Sequence, residues 1–127
     1  MRAIVVDASA VAAVLFNEPE GAPVLASVAG SLLAPSLMRY EVASVCAAKL
    51  SRKPADATTT LARYRLFLDL EIELIEPDWP SLPSLARAWS IPVYDAAYLQ
   101  LALARKVSLV TLDARLAAAY DKAQRAK

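Results

Sequence analysis

Ile4-Val5-Val6-Asp7-Ala8-Ser9 is the stretch that decides the fold: a short apolar run begins almost at the first residue and stops on a carboxylate. Followed by Ala10-Val11-Ala12-Ala13-Val14-Leu15 at helical spacing, it predicts a buried strand feeding a helix from Ala8 to Phe16. Asp7 then stands at the strand's carboxyl end. In open α/β sheets that edge binds ligands, because the helices diverge there and leave a crevice. The pattern returns near the other terminus, where Val107-Ser108-Leu109-Val110-Thr111-Leu112 ends on Asp113 and runs into a helical stretch. Two strands therefore deliver two acids to one rim.

Taken singly, an Asp between strand and helix is more often an N-cap than a catalyst. Two further acids change the balance. Glu41 has Leu37, Met38 and Val45 as its i−4, i−3 and i+4 neighbours, an apolar helix face that a solvated Glu would avoid. Asp95, in Pro92-Val93-Tyr94-Asp95-Ala96-Ala97-Tyr98-Leu99, again opens a helix after a short apolar run.

The rest of the composition narrows the chemistry. At 127 residues the chain predicts one domain, residues 1–127, with a genuine core. Its 57% apolar content exceeds the usual fraction of about 45–50%, which points to a self-interface or a partner. There is no His, which excludes Ser-His-Asp and Cys-His catalysis and His-ligated zinc. The only two glycines, Gly21 and Gly30, can build neither a P-loop nor a GxGxxG turn. Carboxylate, hydroxyl and cation remain. The single cysteine, Cys46, reads as a small buried hydrophobe and suits a reducing compartment. No charged-then-apolar signal region opens the chain, and no apolar run approaches the roughly 18 residues of a membrane span. A cytoplasmic protein is expected. With a net charge of +1, any polyanion site must come from local clustering of cations.

Between the end motifs the chain alternates helices with short strands, which predicts one α/β layer fold. A short helix is expected near Pro23 to Ala29 after the turn-rich Asn17-Glu18-Pro19-Glu20-Gly21, then a strand at Leu32-Leu33-Ala34, with Ser36 capping the Glu41 helix. That helix ends in Lys49-Leu50-Ser51-Arg52-Lys53-Pro54, where basic residues suit a C-terminus. A helix from Ala55 to Leu70 should bury Leu61, Tyr64 and Leu68, with Arg63 and Arg65 outside. Glu71-Ile72-Glu73-Leu74-Ile75 alternates as a half-exposed strand would. Asp78-Trp79-Pro80 leads into a short helix ending at Trp89. The helix from Asp95 to Arg105 presents Tyr98, Leu99 and Ala102 on one stripe. Lys106 begins the last strand, and Asp113 to Lys127 reads as an Ala-rich helix.

Asp7 with Ser9 two residues on, Glu41 inside an apolar helix, Tyr94-Asp95-Ala96-Ala97-Tyr98-Leu99 and Thr111-Leu112-Asp113 together resemble the PIN-domain ribonucleases. They look most like the VapC-type toxins of bacterial and archaeal toxin–antitoxin pairs. The resemblance spans essentially the whole chain. It lies in the ordered four-acid pattern rather than in any single motif. It implies a three-layer α/β fold with a short, mostly parallel central sheet flanked by helices. By the same resemblance, Asp7, Glu41, Asp95 and Asp113 form an acidic quartet holding Mg²⁺ or Mn²⁺, supported by the hydroxyls of Ser9 and Thr111. The resemblance further implies RNA as substrate, cleavage to a 5′-phosphate and a 3′-hydroxyl, a homodimer and a VapB-type antitoxin.

Elementary chemistry supports such a site. Carboxylates converging in one crevice repel and raise one another's pKa, and a hard divalent cation removes the conflict. Of the four, Asp7 and Asp95 read as direct ligands, with Glu41 and Asp113 holding a second ion or a water. Arg39, Lys49, Arg52, Lys53 and Arg115 are the candidate phosphate contacts, against the ordinary reading of a solvated helix face. Tyr40, Trp79 and Tyr94 suit base stacking, although core packing is their default.

Three other readings compete. A signalling receiver domain would need paired acids after the first strand, but Asp7 is followed by Ala8. A phosphohydrolase using Asp7 as nucleophile would need Asp-x-Asp, and the sequence is Asp7-Ala8-Ser9. A PIN-like module kept only for protein binding would lack one of the acids, and all four are present.

Overall fold

The computed structural model describes residues 2–126. Ala3–Val6 forms strand β1 and Ala8–Leu15 helix α1, followed by α2 (Gly21–Ser27), β2 (Ser31–Pro35), α3 (Met38–Arg52) and α4 (Ala57–Leu68). Then come β3 (Ile72–Ile75), α5 (Leu82–Trp89), α6 (Val93–Arg105), β4 (Ser108–Val110) and α7 (Ala114–Arg125). The four strands form one sheet in the order β3-β2-β1-β4, with every pairing parallel.

Parallel strands covered on both faces read as unbroken apolar runs. Strand β1 has that form: Ile4, Val5 and Val6 are all buried, with Val5 paired to Leu33 on one side and Leu109 on the other. From β1 the chain builds outward through β2 to β3, and only later adds β4 on the opposite side. The crevice between the carboxyl ends of β1 and β4 is thus the point where strand order reverses, which is where this architecture receives ligands. Helix α6 packs over β1, β2 and β4 and carries α5 and α7 against it, while α1 to α4 pack on one another. These two helical groups flank the sheet, as the resemblance implies. Tyr98, Met38, Leu82, Leu99, Leu116, Val5 and Val42 are the large side chains at the centre of the core.

Some local expectations are overturned. Helix α2 starts at Gly21 rather than near Pro23, and Gly21 is required there because a Cβ would lie 2.5 Å from the Ala13 carbonyl oxygen. Ser36 does not cap α3. Its backbone N–H continues the sheet to the Ile75 carbonyl and its hydroxyl donates to Glu76 Oε1 at 2.6 Å, so α3 begins at Met38 without a side-chain cap. In α4 the period is right and the phase is shifted by one residue. Thr60 and Phe67 are buried with Tyr64 half-buried between them, whereas Leu61 and Leu68 are exposed and Arg63 is half-buried. A polar residue, Thr60, occupies a buried turn, which hides the true face from an apolar count. Strand β3 does not alternate either: Ile72 and Ile75 are half-buried on opposite faces of this edge strand, and Glu73 and Leu74 are exposed. Lys106 lies outside β4, closing α6 in the left-handed conformation with φ 55°.

Candidate functional site

At the carboxyl edge, Asp7 ends β1, and its backbone N–H donates to the Val110 carbonyl at 3.1 Å, extending the ladder one step past the strand. Its side chain is 5% exposed and fully engaged. Oδ1 accepts from the Ser9 hydroxyl at 2.7 Å and from the Ala10 N–H at 3.0 Å, which caps α1, and Oδ2 accepts from the Thr111 hydroxyl. Ser9 Oγ in turn accepts from the Leu112 N–H, and Thr111 Oγ1 from the Asp113 N–H, each at 3.0 Å. The two hydroxyls thus tie the β1–α1 junction to the β4–α7 junction. Asp113 caps α7, its Oδ1 accepting from the N–H groups of Arg115 and Leu116.

Glu41 and Asp95 enter differently. Both lie in a helix's first turn, Glu41 in α3 and Asp95 in α6, and both are half-buried. Glu41 Oε1 accepts from the Tyr98 hydroxyl at 2.6 Å, while Asp95 has no hydrogen-bond donor among the described residues. Burial pushes the Glu41 carboxyl above its usual range, and the nearby charges of Asp7 and Asp95 add to that rise against the lowering effect of Tyr98. Asp95 is raised chiefly by burial, then by Asp113 and Asp7, with Arg115 opposing. Glu41 and Asp95 therefore both feel the charge of Asp7, and each feels one further acid, Asp95 for Glu41 and Asp113 for Asp95. Among the described residues, however, no three His, Cys, Asp or Glu side chains close into a formed metal cage. The donor set itself fits a hard divalent cation: it is carboxylate throughout, with Asp95 unengaged and only one oxygen of Glu41 bonded.

The cations separate into two groups. Arg115 belongs to the crevice, acting on Asp95 through space while its guanidinium donates to the Ser90 carbonyl at 2.8 Å. Lys49, Arg52 and Lys53 do not reach it, because they end α3 while Glu41 begins it. Arg39 is exposed at the head of α3 beside an apolar groove formed with Phe67, Leu70 and Leu74. The aromatic default is overturned: Tyr40 is 83%, Tyr94 58% and Trp79 59% exposed, so none of the three packs in the core. Tyr40 and Tyr94 directly precede Glu41 and Asp95 in sequence, in the first turns of α3 and α6.

One residue of the site was missed in sequence. Tyr98, read as core stripe, is also the donor to Glu41, and burial together with the Glu41 charge raises its hydroxyl pKa well above the ordinary value, keeping the proton on oxygen. A buried Tyr hydroxyl needs a partner, and Tyr98 lies one turn from Asp95. Those two facts were the available signal.

The model of the PIN domain matches residues 4–122. The chain belongs to the PIN domain family. A solved structure of similar fold is that of PAE2754 from Pyrobaculum aerophilum, at 22% identity and a TM-score of 0.73, covering 93% of this chain and 86% of that one. Comparison with curated proteins gives no match. At family level a PIN domain is a metal-dependent nuclease, generally using Mg²⁺ or Mn²⁺, and suggests RNA binding. Membership sets aside the receiver and phosphohydrolase readings. Among the described residues of this PIN domain, no helix is long and apolar enough to cross a membrane.

Proposed function

We propose that this PIN domain is a single-domain endoribonuclease, the toxin of a VapBC-type toxin–antitoxin pair, acting in the cytoplasm. Asp7, Glu41, Asp95 and Asp113 hold Mg²⁺ or Mn²⁺. The observation that carries this reading is the gathering of four acids at the sheet's reversal point, where Glu41 and Asp95 are raised first by burial and then by the charges of neighbouring acids. Groups that destabilise one another are retained where function needs them. A divalent ion bound there supplies a water of lowered pKa and neutralises charge on the phosphoryl oxygens.

The chain's own residues do the rest. Asp7, locked by Ser9, Thr111 and the Ala10 N–H, fixes one ligand direction, and Tyr98 fixes Glu41. Asp95 faces the crevice without a competing donor. Arg115 draws a phosphate toward Asp95, and the rings of Tyr40 and Tyr94 stack unpaired bases at the rim. The toxin assignment rests on the order and spacing of the acid motifs. Exposed Leu66 and Leu68 on α4, Leu70 in the turn after it and Leu74 on the β3 edge provide apolar surface for a homodimer or an antitoxin. Incubation of the purified chain with total RNA, with and without Mg²⁺ and in the Asp95→Asn variant, tests the reading. Cleavage that requires both metal and Asp95 supports a nuclease, and RNA left intact under all conditions leaves a protein-binding module.

A further inference from the structure

Away from the acidic crevice, the end of α3 and the start of α4 line a half-open pocket of about 550 Å³, a size typical of ligand sites. Four of the chain's 14 Lys and Arg residues, Lys49, Arg52, Lys53 and Arg63, line it, together with Thr59 in the first turn of α4. Asp56 is an acid in the same wall, and Lys49 is committed to Glu18 at 2.7 Å and sits over the Phe16 ring. Lys49 is thereby fixed in place, and Arg52, Lys53 and Arg63 remain in excess over Asp56. A local surplus of about two positive charges on a chain of net +1 is a concentrated anion-attracting site.

Two helices measure where this pocket lies. From Glu41 to Arg52 the α3 axis runs ~17 Å, and from Ala8 to Phe16 α1 runs ~12 Å, at about 1.5 Å per residue. Both helices begin beside an acid of the crevice and end in the pocket wall. The pocket is a separate site joined to the crevice by two parallel helices. We propose that it binds phosphate groups of the RNA strand extending beyond the crevice, at a position two to three nucleotides from the metal-binding acids. The identity of the ligand as RNA rests on the nuclease reading, whereas the anion chemistry rests on the pocket alone.

The test measures binding rather than cleavage, so it does not depend on catalysis. Affinity of the metal-free protein for a 12-nucleotide single-stranded RNA and for a dinucleotide is followed across salt concentration, in the wild type and in a variant carrying Arg52→Gln, Lys53→Gln and Arg63→Gln. Inorganic phosphate and pyrophosphate are titrated in parallel. The variant is expected to bind the 12-mer at least tenfold more weakly near 0.1 M salt. Its salt slope should fall by about two, since each lost phosphate contact on a single strand removes roughly 0.7. The dinucleotide, too short to span from crevice to pocket, should show a smaller loss. The pair Arg52→Gln and Lys53→Gln, both exposed, serves if the half-buried Arg63 proves necessary for folding by circular dichroism. An unchanged 12-mer affinity and slope in a folded variant would overturn the proposal. So would loss of pyrophosphate binding with RNA binding intact, which would mark a small-anion site only. A chain that binds the 12-mer through these residues yet never cleaves RNA would remove the nuclease reading and leave the pocket standing.

Discussion

The two strand–helix junctions and the two helix faces each contribute a pair of acids to one crevice, yet they hold them in opposite ways. Asp7 and Asp113 satisfy backbone N–H groups of the helices they precede, and Asp7 also receives the hydroxyls of Ser9 and Thr111. Glu41 has one donor and Asp95 none among the described residues, and both are raised by burial and by their acidic neighbours. The junction acids therefore stabilise the fold whether or not a cation is bound. The helix acids destabilise it until one is. The same residue type supports structure in one region and is tolerated for chemistry in the other.

The largest effect is expected where that difference is greatest. Asp95→Asn removes a charge on which no described hydrogen bond depends, so the metal-free fold should be unharmed or slightly stabilised by relief of repulsion. Metal-dependent RNA cleavage should fall at least about a hundredfold, because several kcal/mol of transition-state charge stabilisation pass through the ion it helps to hold. A stable variant with full cleavage would show that Asp95 has no part in metal binding. Asp7→Ala should abolish cleavage too, but at a structural cost of about 1–3 kcal/mol: one cap is lost, and two half-buried hydroxyl donors lose their acceptor. Urea unfolding of the two metal-free variants separates them, and equal stabilities would erase the distinction.

The pH dependence sharpens it. A carboxyl whose folded pKa is raised binds more protons folded than unfolded, so stability falls as pH climbs from the unfolded values of about 3.9–4.3 through the raised folded ones. The contribution of Glu41 and Asp95 to metal-free stability should thus decline over that window. Glu41→Gln with Asp95→Asn should flatten the decline. Mg²⁺ at pH 7 should reverse it, adding about 2.7 kcal/mol at a hundredfold excess over its dissociation constant. Thermal melts with and without Mg²⁺ from pH 4 to pH 8 measure this directly. A metal-free profile that climbs from pH 4 to pH 7 and ignores both substitutions would contradict a convergent site.

What was legible in the sequence follows the same division. A strand–acid–helix junction writes two signals into adjacent residues, the apolar run and the cap, and so β1, β4, Asp7 and Asp113 stand out from local pattern. Glu41 and Asp95 were legible because an acid on an apolar helix face is out of place. Their mutual influence belongs to the tertiary arrangement of α3 and α6. Partnerships across long separations were not readable: Tyr98 to Glu41, Thr111 to Asp7 and Arg115 to Ser90 are each settled only when helices dock. The basic candidates show the limit most clearly. Lys49, Arg52 and Arg115 look alike as solvated cations, and only the run of α3 down from Glu41 sends the first two to the far end. The buried face of α4 was misjudged for a related reason, since Thr60 hides in a turn where an apolar residue is expected.

The smallest effect concerns Asp113, which sits in the junction pair by geometry and in the acidic quartet by proposal. Its Oδ1 accepts from both the Arg115 and Leu116 N–H groups, so Asp113→Ala should cost the metal-free protein about 1 kcal/mol through loss of the α7 cap. Asn caps nearly as well as Asp, and Asp113→Asn should hold stability within a few tenths of a kcal/mol. The two substitutions therefore separate the roles. If Asp113 is only a cap, the Asn variant keeps full cleavage and unaltered Mg²⁺ dependence. If its charge also serves the site, the Asn variant keeps its melting temperature but needs more Mg²⁺ for half-maximal cleavage, because one of the four charges attracting the ion is gone. Asp113 also raises Asp95, so its neutralisation should let the Asp95 carboxyl ionise at lower pH in the metal-free protein, a change visible by NMR titration. A fixed Asp95 titration together with unchanged Mg²⁺ dependence would return Asp113 wholly to the structural pair.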